Sequence, residues 1–275
     1  MNFLEHFIYG IISGIARFLP ISSTAHQAVY HTLCGVDHPD PLLSFLIDGA
    51  LLAALITSYY SYYQLLQSSR SRASRRTRKQ LQFTDSALDT RVVKNAVLPM
   101  LIISLVLYYI IGTNNSLMLV SVTLLANGIL LFIPSRMLQG NKDGRFMSAM
   151  DSGLIGFVGA LSAVPGFSGI GGAVSIAMMR GASSKKAIHW AALLSVPMLI
   201  VRLCVDFIRI FGFSTTAYIN FNFFGYLLSI LGAYCGACMG ISIIKKLNTR
   251  SALSGFAFYS WGAALFAFIL YLTVA

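Results

Sequence analysis

The stretch Ser13-Gly14-Ile15-Ala16-Arg17-Phe18-Leu19-Pro20-Ile21-Ser22-Ser23-Thr24-Ala25-His26 interrupts the first apolar run of the chain. Proline removes a helix hydrogen bond, and serine and threonine are favoured where a new helix begins. The region 3–34 therefore predicts two half-helices around a break. Pieces of about 10–15 residues are too short for a hydrocarbon core of about 30 Å. Non-helical backbone at membrane depth must be buried in protein or line a polar cavity. A re-entrant hairpin is the economical arrangement. A second interruption, Pro165-Gly166-Phe167-Ser168-Gly169, predicts another hairpin over 150–180.

The rest of the chain explains why a membrane is the medium. Of 275 residues 56% are hydrophobic and only 11% charged, against about 25% charged in ordinary soluble domains. Six stretches predict full spans: 42–63, 93–111, 116–134, 186–207, 221–244 and 254–274. The formal charge of +11 sits between the apolar segments, above all in Arg70, Arg72, Arg75, Arg76, Arg78 and Lys79. That placement marks cytoplasmic loops and argues against nucleic acid as a partner. Anionic lipid headgroups are a secondary partner for these loops. Cys34, Cys204, Cys235 and Cys238 form no disulfide framework. The Cys235-x-x-Cys238 spacing lies among small residues and reads as a helix contact. The N-terminus lacks a basic region before its first apolar run, so no signal peptide is expected.

Lys/Arg placement also orients the chain. The 64–92 loop is expected inside. Arg136, Lys142 and Arg145 return to that side, as do Arg180, Lys185 and Lys186 after the second hairpin, and Lys245, Lys246 and Arg250 near the end. The 208–220 loop and both termini then fall outside. Each half is one hairpin plus three spans, an odd number, so halves 1–137 and 138–275 have opposite orientations. The two interruptions align: Gly14 with Gly159, Pro20 with Pro165, Ser23 with Ser168. The fold class expected is an all-α polytopic membrane protein, six transmembrane helices and two re-entrant hairpins in an inverted-topology repeat. Such repeats with broken helices place a binding site near the bilayer midplane.

A helix that starts at membrane depth turns unpaired N–H groups and a partial positive charge inward. Ser22, Ser23 and Thr24 add hydroxyls at one break. Gly166, Ser168 and Gly169 allow close backbone approach at the other. Together they suit a phosphate or diphosphate; the alternative is capping and tight packing alone. Arg17 lies one turn before Pro20. An arginine at mid-span costs about 2.5–3.5 kcal/mol on insertion scales, so it needs an anion or a carboxylate such as Asp48 or Asp206. His26 can exchange a proton, act as nucleophile, or simply hydrogen-bond. Arg202 and Asp206, spaced i, i+4, read as a structural ion pair.

The string Gly14-x-x-x-Phe18-Leu19-Pro20-Ile21-Ser22-Ser23-Thr24-Ala25-His26 resembles the undecaprenyl-diphosphate phosphatase family, of the UppP or BacA type. Pro165-Gly166-Phe167-Ser168-Gly169-Ile170-Gly171-Gly172-Ala173 is similar to that family's second motif, and Leu193–Met198 followed by Asp206 is similar as well. The resemblance implies the same six-span fold with two opposed hairpins, a bacterial cytoplasmic membrane location and a diphosphate substrate. Two family glutamates, implied to hold a divalent metal, fall here on Ser13 and Arg17. The family's second-motif arginine falls on Gly169, and the following serine on Ile170. Glu5 is the only glutamate in the chain. The resemblance with these departures implies a catalytically degenerate member that binds a polyprenyl (undecaprenyl) phosphate or diphosphate through Arg17, Ser22, Ser23, Thr24, Gly166, Ser168 and Gly169, in lipid-carrier recycling or transport. A rival reading keeps phosphatase activity through His26 and Ser22. A third is a small-anion transporter. No cofactor is expected, Mg²⁺ or Ca²⁺ entering only with the phosphatase reading; a homodimer is an expected assembly.

Overall fold

The computed structural model describes residues 2–36, 40–71, 75–111, 116–138, 140–142, 144, 146–212, 222–246 and 250–274, with side chains left undescribed at 59–89, 250 and 251. Among these residues the chain is all-helical: α1 (Phe3–Phe18), α2 (Ser23–Leu33), α3 (Pro41–Ser71), α4 (Arg75–Ile111), α5 (Leu117–Arg136), α6 (Ala149–Ala160), α7 (Gly169–Met179), α8 (Ser184–Phe211), α9 (Phe223–Lys246) and α10 (Arg250–Val274), with a 3₁₀ turn at Leu161–Ala163. Six segments are long and apolar enough to cross a membrane: Pro41–Ser58, Thr90–Ile111, Leu117–Arg136, Ser184–Phe211, Phe223–Lys246 and Ala252–Val274. They coincide with the six expected spans to within five residues at each end. The region 64–92 differs from expectation. It is not a loop throughout, because α3 continues to Ser71 and α4 starts at Arg75. The side chains of the basic run from Arg70 to Lys79 lie outside the described residues, as do Arg145 and residues 213–221.

Helix breaks occur where proline and a capping serine coincide. Pro99, Pro134 and Pro197 lie inside α4, α5 and α8 without ending them. After Pro20 and Pro165, by contrast, Ser22 and Ser168 offer side-chain acceptors that start new helices. Ser22 Oγ accepts from Ala25 N–H at 3.2 Å, and Ser168 Oγ from Gly171 N–H at 3.1 Å. The capping equivalent of Ser168 is therefore Ser22, one position before the Ser23 expected from the alignment.

Both broken pairs fold back as hairpins. In the first, Gln27 Nε2 donates to Ser13 Oγ at 3.0 Å, and Tyr30 Oη donates to the Glu5 carbonyl at 2.9 Å. In the second, Arg180 Nε donates to Asp151 Oδ1 at 2.5 Å. The hairpins are set against the long helices by glycine contacts. A Cβ at Gly10 or Gly14 of α1 would lie 2.2 or 2.4 Å from the carbonyl oxygens of Ser229 or Ala233 in α9. A Cβ at Gly156 of α6 would lie 2.0 Å from the Ala96 carbonyl oxygen in α4. Small residues let helix backbones touch where apolar side chains gain nothing over lipid. Cys235 and Cys238 are free and lie on the α9 that makes these contacts. Elsewhere α3 packs on α8 and α9, α4 on α8, and α5 along α10.

Candidate functional site

The two breaks meet. The Gly166 N–H donates to Thr24 Oγ1 at 3.1 Å, joining the second break to the first. Gly166 has φ +92°, a conformation open to glycine at little steric cost, and a Cβ there would lie 1.9 Å from Thr123 Oγ1. Thr123 Oγ1 in turn donates to the Pro165 carbonyl at 2.6 Å. Asn127 Oδ1 accepts from Ser168 N–H at 3.1 Å, and its amide donates to Ser260 Oγ at 3.1 Å. Helices α5 and α10 thus hold the second break in place. Neither Thr123 nor Asn127 was marked by the sequence, because an isolated polar residue in a span has no motif to announce it.

Between the breaks lies a small polar cavity with an open mouth. Arg17, Ser23, Thr24, Ser168 and Gly169 line it, with Ser162, Phe167 and Ser195. Five of the expected binding residues are therefore gathered round one space. Ser22 caps α2 beside it, and Gly166 serves through its backbone. The hydroxyls are not equally available. Ser22 and Thr24 share a hydrogen bond of 2.9 Å, and Ser195 donates to the Ala192 carbonyl at 2.6 Å. Among the described residues the Ser23 hydroxyl takes no protein partner, and neither do the backbone N–H groups of Ser23, Thr24, Gly169 and Ile170, the first donors of α2 and α7.

His26 does not line the cavity. Its Nδ1 lies 2.6 Å from the Ser22 carbonyl, and its Nε2 lies 2.6 Å from Tyr259 Oη. A carbonyl only accepts, so Nδ1 carries the hydrogen and the neutral ring accepts the Tyr259 hydroxyl proton at Nε2. The basic nitrogen is committed to a residue 233 positions away, a contact that only the folded chain reveals.

The charges behind the cavity pair differently from their sequence spacing. Arg202 Nε bonds Asp48 Oδ2 at 2.7 Å, in place of the expected pair with Asp206. Arg17 Nη2 approaches the other oxygen of Asp48 at 3.4 Å. Asp206 Oδ1 lies 3.4 Å from Arg209 Nη1. The expectation for Arg202 failed because i, i+4 spacing permits a contact, while a buried aspartate on a facing helix can offer better geometry. Among the described residues, two buried atoms of these charged groups are left without partners, Arg17 Nε and Asp206 Oδ2.

The metal implied by the family resemblance needs hard oxygen ligands, chiefly carboxylates. The cavity wall has none, and Asp48 is held by two arginines. Among the described residues no three His, Cys, Asp or Glu side chains converge. The donor set does not fit such an ion.

Six apolar spans, two interrupted hairpins and a polar cavity between the interruptions define a polytopic helical membrane protein with an internal polar site. Residues 6–266 match the family described as Bacitracin resistance protein BacA. The chain belongs to that family. It is 27% identical to an undecaprenyl-diphosphatase of Prochlorococcus marinus (strain MIT 9312), over 99% of each chain. It is 25% identical to an undecaprenyl-diphosphatase of Syntrophotalea carbinolica, over 97% of this chain and 99% of that one. With undecaprenyl-diphosphatase 1 of Shouchella clausii it shares 26% identity, over 98% and 96%.

Proposed function

We propose that the chain binds the phosphate or diphosphate headgroup of a polyprenyl lipid between the two breaks, as a catalytically degenerate BacA-type protein serving lipid-carrier recycling or transport. The observation that carries the reading is the cavity wall: a buried guanidinium with an unpartnered Nε, four uncommitted N–H groups at two helix starts, and no carboxylate. Backbone donors and an arginine are complementary to phosphate oxygens. Hydrolysis would need charge neutralisation together with an activated nucleophile or water. His26, turned onto Tyr259, is poorly placed to activate either. The names of the relatives support a diphosphate-bearing lipid as the ligand.

In this reading both hairpins are re-entrant and the halves 1–137 and 138–275 form an inverted repeat. The packing supports it. Exchanging the halves carries the α1–α9 contact onto α6–α4 and α3–α9 onto α8–α4, and leaves α3–α8 and α5–α10 unchanged. The protein then sits in the bacterial cytoplasmic membrane with both termini outside. Alternating access by two opposed units would move the headgroup between leaflets.

The test is purified protein incubated with undecaprenyl diphosphate in Mg²⁺, Ca²⁺ or chelator, with lipid binding and phosphate release followed together. Binding without release is expected in all three. A second reading, an active phosphatase, is favoured by the names of the relatives over the full chain. Release that His26→Ala abolishes would establish it and end the degenerate reading. Binding of inorganic phosphate with no preference for the lipid would point instead to a small-anion carrier.

A further inference from the structure

Arg17, which faces the cavity, is one end of a chain of buried charges that continues along α8. Arg17 meets Asp48, Asp48 holds Arg202, and Asp206 follows one turn later, with Arg209 beyond it. Asp206 lies seven residues past Leu199 of the cavity wall, about 10 Å along the helix. Its side chain is 7% exposed, one oxygen is 3.4 Å from Arg209, and the other is buried with no partner. Arg209, 30% exposed and two residues from the end of the Ser184–Phe211 span, marks the end at which this path leaves the buried interior.

The charges facing Asp206 come from every element around it: Arg202 and Arg209 on its own helix, Asp48 on α3, Arg17 on α1, with the hydroxyls of Tyr9 on α1 and Tyr108 on α4 in the same field. Arg17, Arg202 and Arg209 carry three positive charges, and Asp48 and Asp206 carry two negative ones. The set therefore has one positive charge in excess when the cavity holds no anion. A doubly charged phosphate headgroup at Arg17 adds one negative charge more than that excess, and uncompensated charge is costly away from water. Asp48 is pinned by two arginines, so the balance can be restored most readily at Asp206.

We propose that Asp206 is a proton-binding site coupled to the cavity, giving up its negative charge to a proton when a phosphate headgroup arrives. The proton comes from water at the Arg209 end and bonds to the unpartnered oxygen of Asp206; it returns to water when the headgroup leaves. This rests on the reading of the cavity as a phosphate site and supplies that site with its coupling ion. By reciprocity, a proton on Asp206 tightens headgroup binding as much as the headgroup tightens proton binding.

The experiment is calorimetric titration of the full chain in detergent micelles with undecaprenyl monophosphate, and in parallel with inorganic phosphate. A series of pH values and buffers of different ionisation heat yields proton uptake directly. The ligand's own titration is common to wild type and Asp206→Asn, so their difference belongs to Asp206. Wild type is expected to take up as much as one proton more than Asp206→Asn per headgroup bound. Its affinity is expected to fall up to about tenfold more per pH unit above the Asp206 titration. Asp206→Asn is expected to bind more tightly than wild type at alkaline pH.

Uptake by the lipid alone assigns the coupling to the lipid headgroup, and uptake by both probes assigns it to phosphate in general. Equal uptake and equal pH slopes in the two proteins, with binding intact, overturn the proposal and leave the headgroup reading standing. Failure of wild type to bind either probe removes both. If the Asn variant does not fold, Asp206→Glu takes its place. It must keep the uptake with a displaced pH midpoint, and an unmoved midpoint overturns the proposal.

Discussion

At the first break, Leu19 to Ser22 carries Arg17, Ser23 and Thr24 to the cavity. At the second, Val164 to Ser168 contributes Phe167, backbone, glycine and one serine already used as a cap. The first is rich in side-chain chemistry, and its two arms are only lightly tied to each other. Its arms are joined by neutral hydrogen bonds, and its arginine meets a carboxylate only at 3.4 Å. The second is crowded. A Cβ at Gly169 would sit 2.7 Å from both Met198 Cε and Ser162 Cβ, and Gly166 is surrounded by Thr123 and Val120. An ion pair between Asp151 and Arg180 closes its base. One break supplies recognition and the other supplies shape. Changes at the second should therefore cost folding, and changes at the first should cost binding.

The largest effect that would test this division is Gly166→Ala. Left-handed backbone strain adds to a collision with Thr123 Oγ1, and a loss of about 3 kcal/mol or more is expected. Thermal unfolding in detergent measures it; a wild-type midpoint would remove the claim that the second break is shaped by packing. Next is Arg17→Ala, for which lipid-phosphate affinity should drop about 10- to 100-fold, the worth of a hydrogen bond to a charged group. Unchanged binding would mean that Asp48 is the true partner of Arg17. Thr24→Val removes the bond that joins the breaks, and about 1 kcal/mol of stability should go with it. That variant is the sharpest test of whether the two breaks act as one unit.

The smallest effect concerns the base of the second hairpin. Burial acts to raise the Asp151 carboxyl, but hydrogen bonds from Ser148 and Arg180 outweigh it and hold the group below the ordinary aspartate value. A carboxyl lowered on folding contributes stability above its unfolded value, and that contribution is lost as pH falls through the folded one. Wild type should thus lose stability in acid relative to Asp151→Asn. The difference should stay below about 1 kcal/mol, because Arg180 is 48% exposed. Equal acid sensitivity would show that the pair does not close the hairpin.

What could be read from the chain beforehand divides along physical lines. The six spans were legible because an apolar window of 18 residues or more is a local property. The breaks were legible because proline followed by a capping serine is also local. The extension of α3 and α4 past their apolar parts was not, since helical backbone continues through polar residues wherever its own ladder persists. Arg17, Ser23, Thr24, Ser168 and Gly169, singled out by motif and chemistry, all line the cavity. His26 was singled out too, but it lies off the cavity wall, and its orientation toward Tyr259 depends on how α10 packs. Asn127 and Thr123 were missed for the same reason. The partner of Arg202 was misread because a helix spacing says which groups can meet, while tertiary packing decides which do.

The glycine contacts between α1 and α9 have a mechanical meaning. Gly10 and Gly14 rest on α9 carbonyls, and Gly232 and Gly236 return the contact against Phe7 and Ile11. With backbone against backbone there is no layer of side chains to shear, so the arm bearing Arg17 is a rigid extension of α9. Any displacement of the α1 backbone beneath the guanidinium must carry α9, a helix from the other half of the chain, with it. The hinge, if the molecule rocks, lies elsewhere than along this seam.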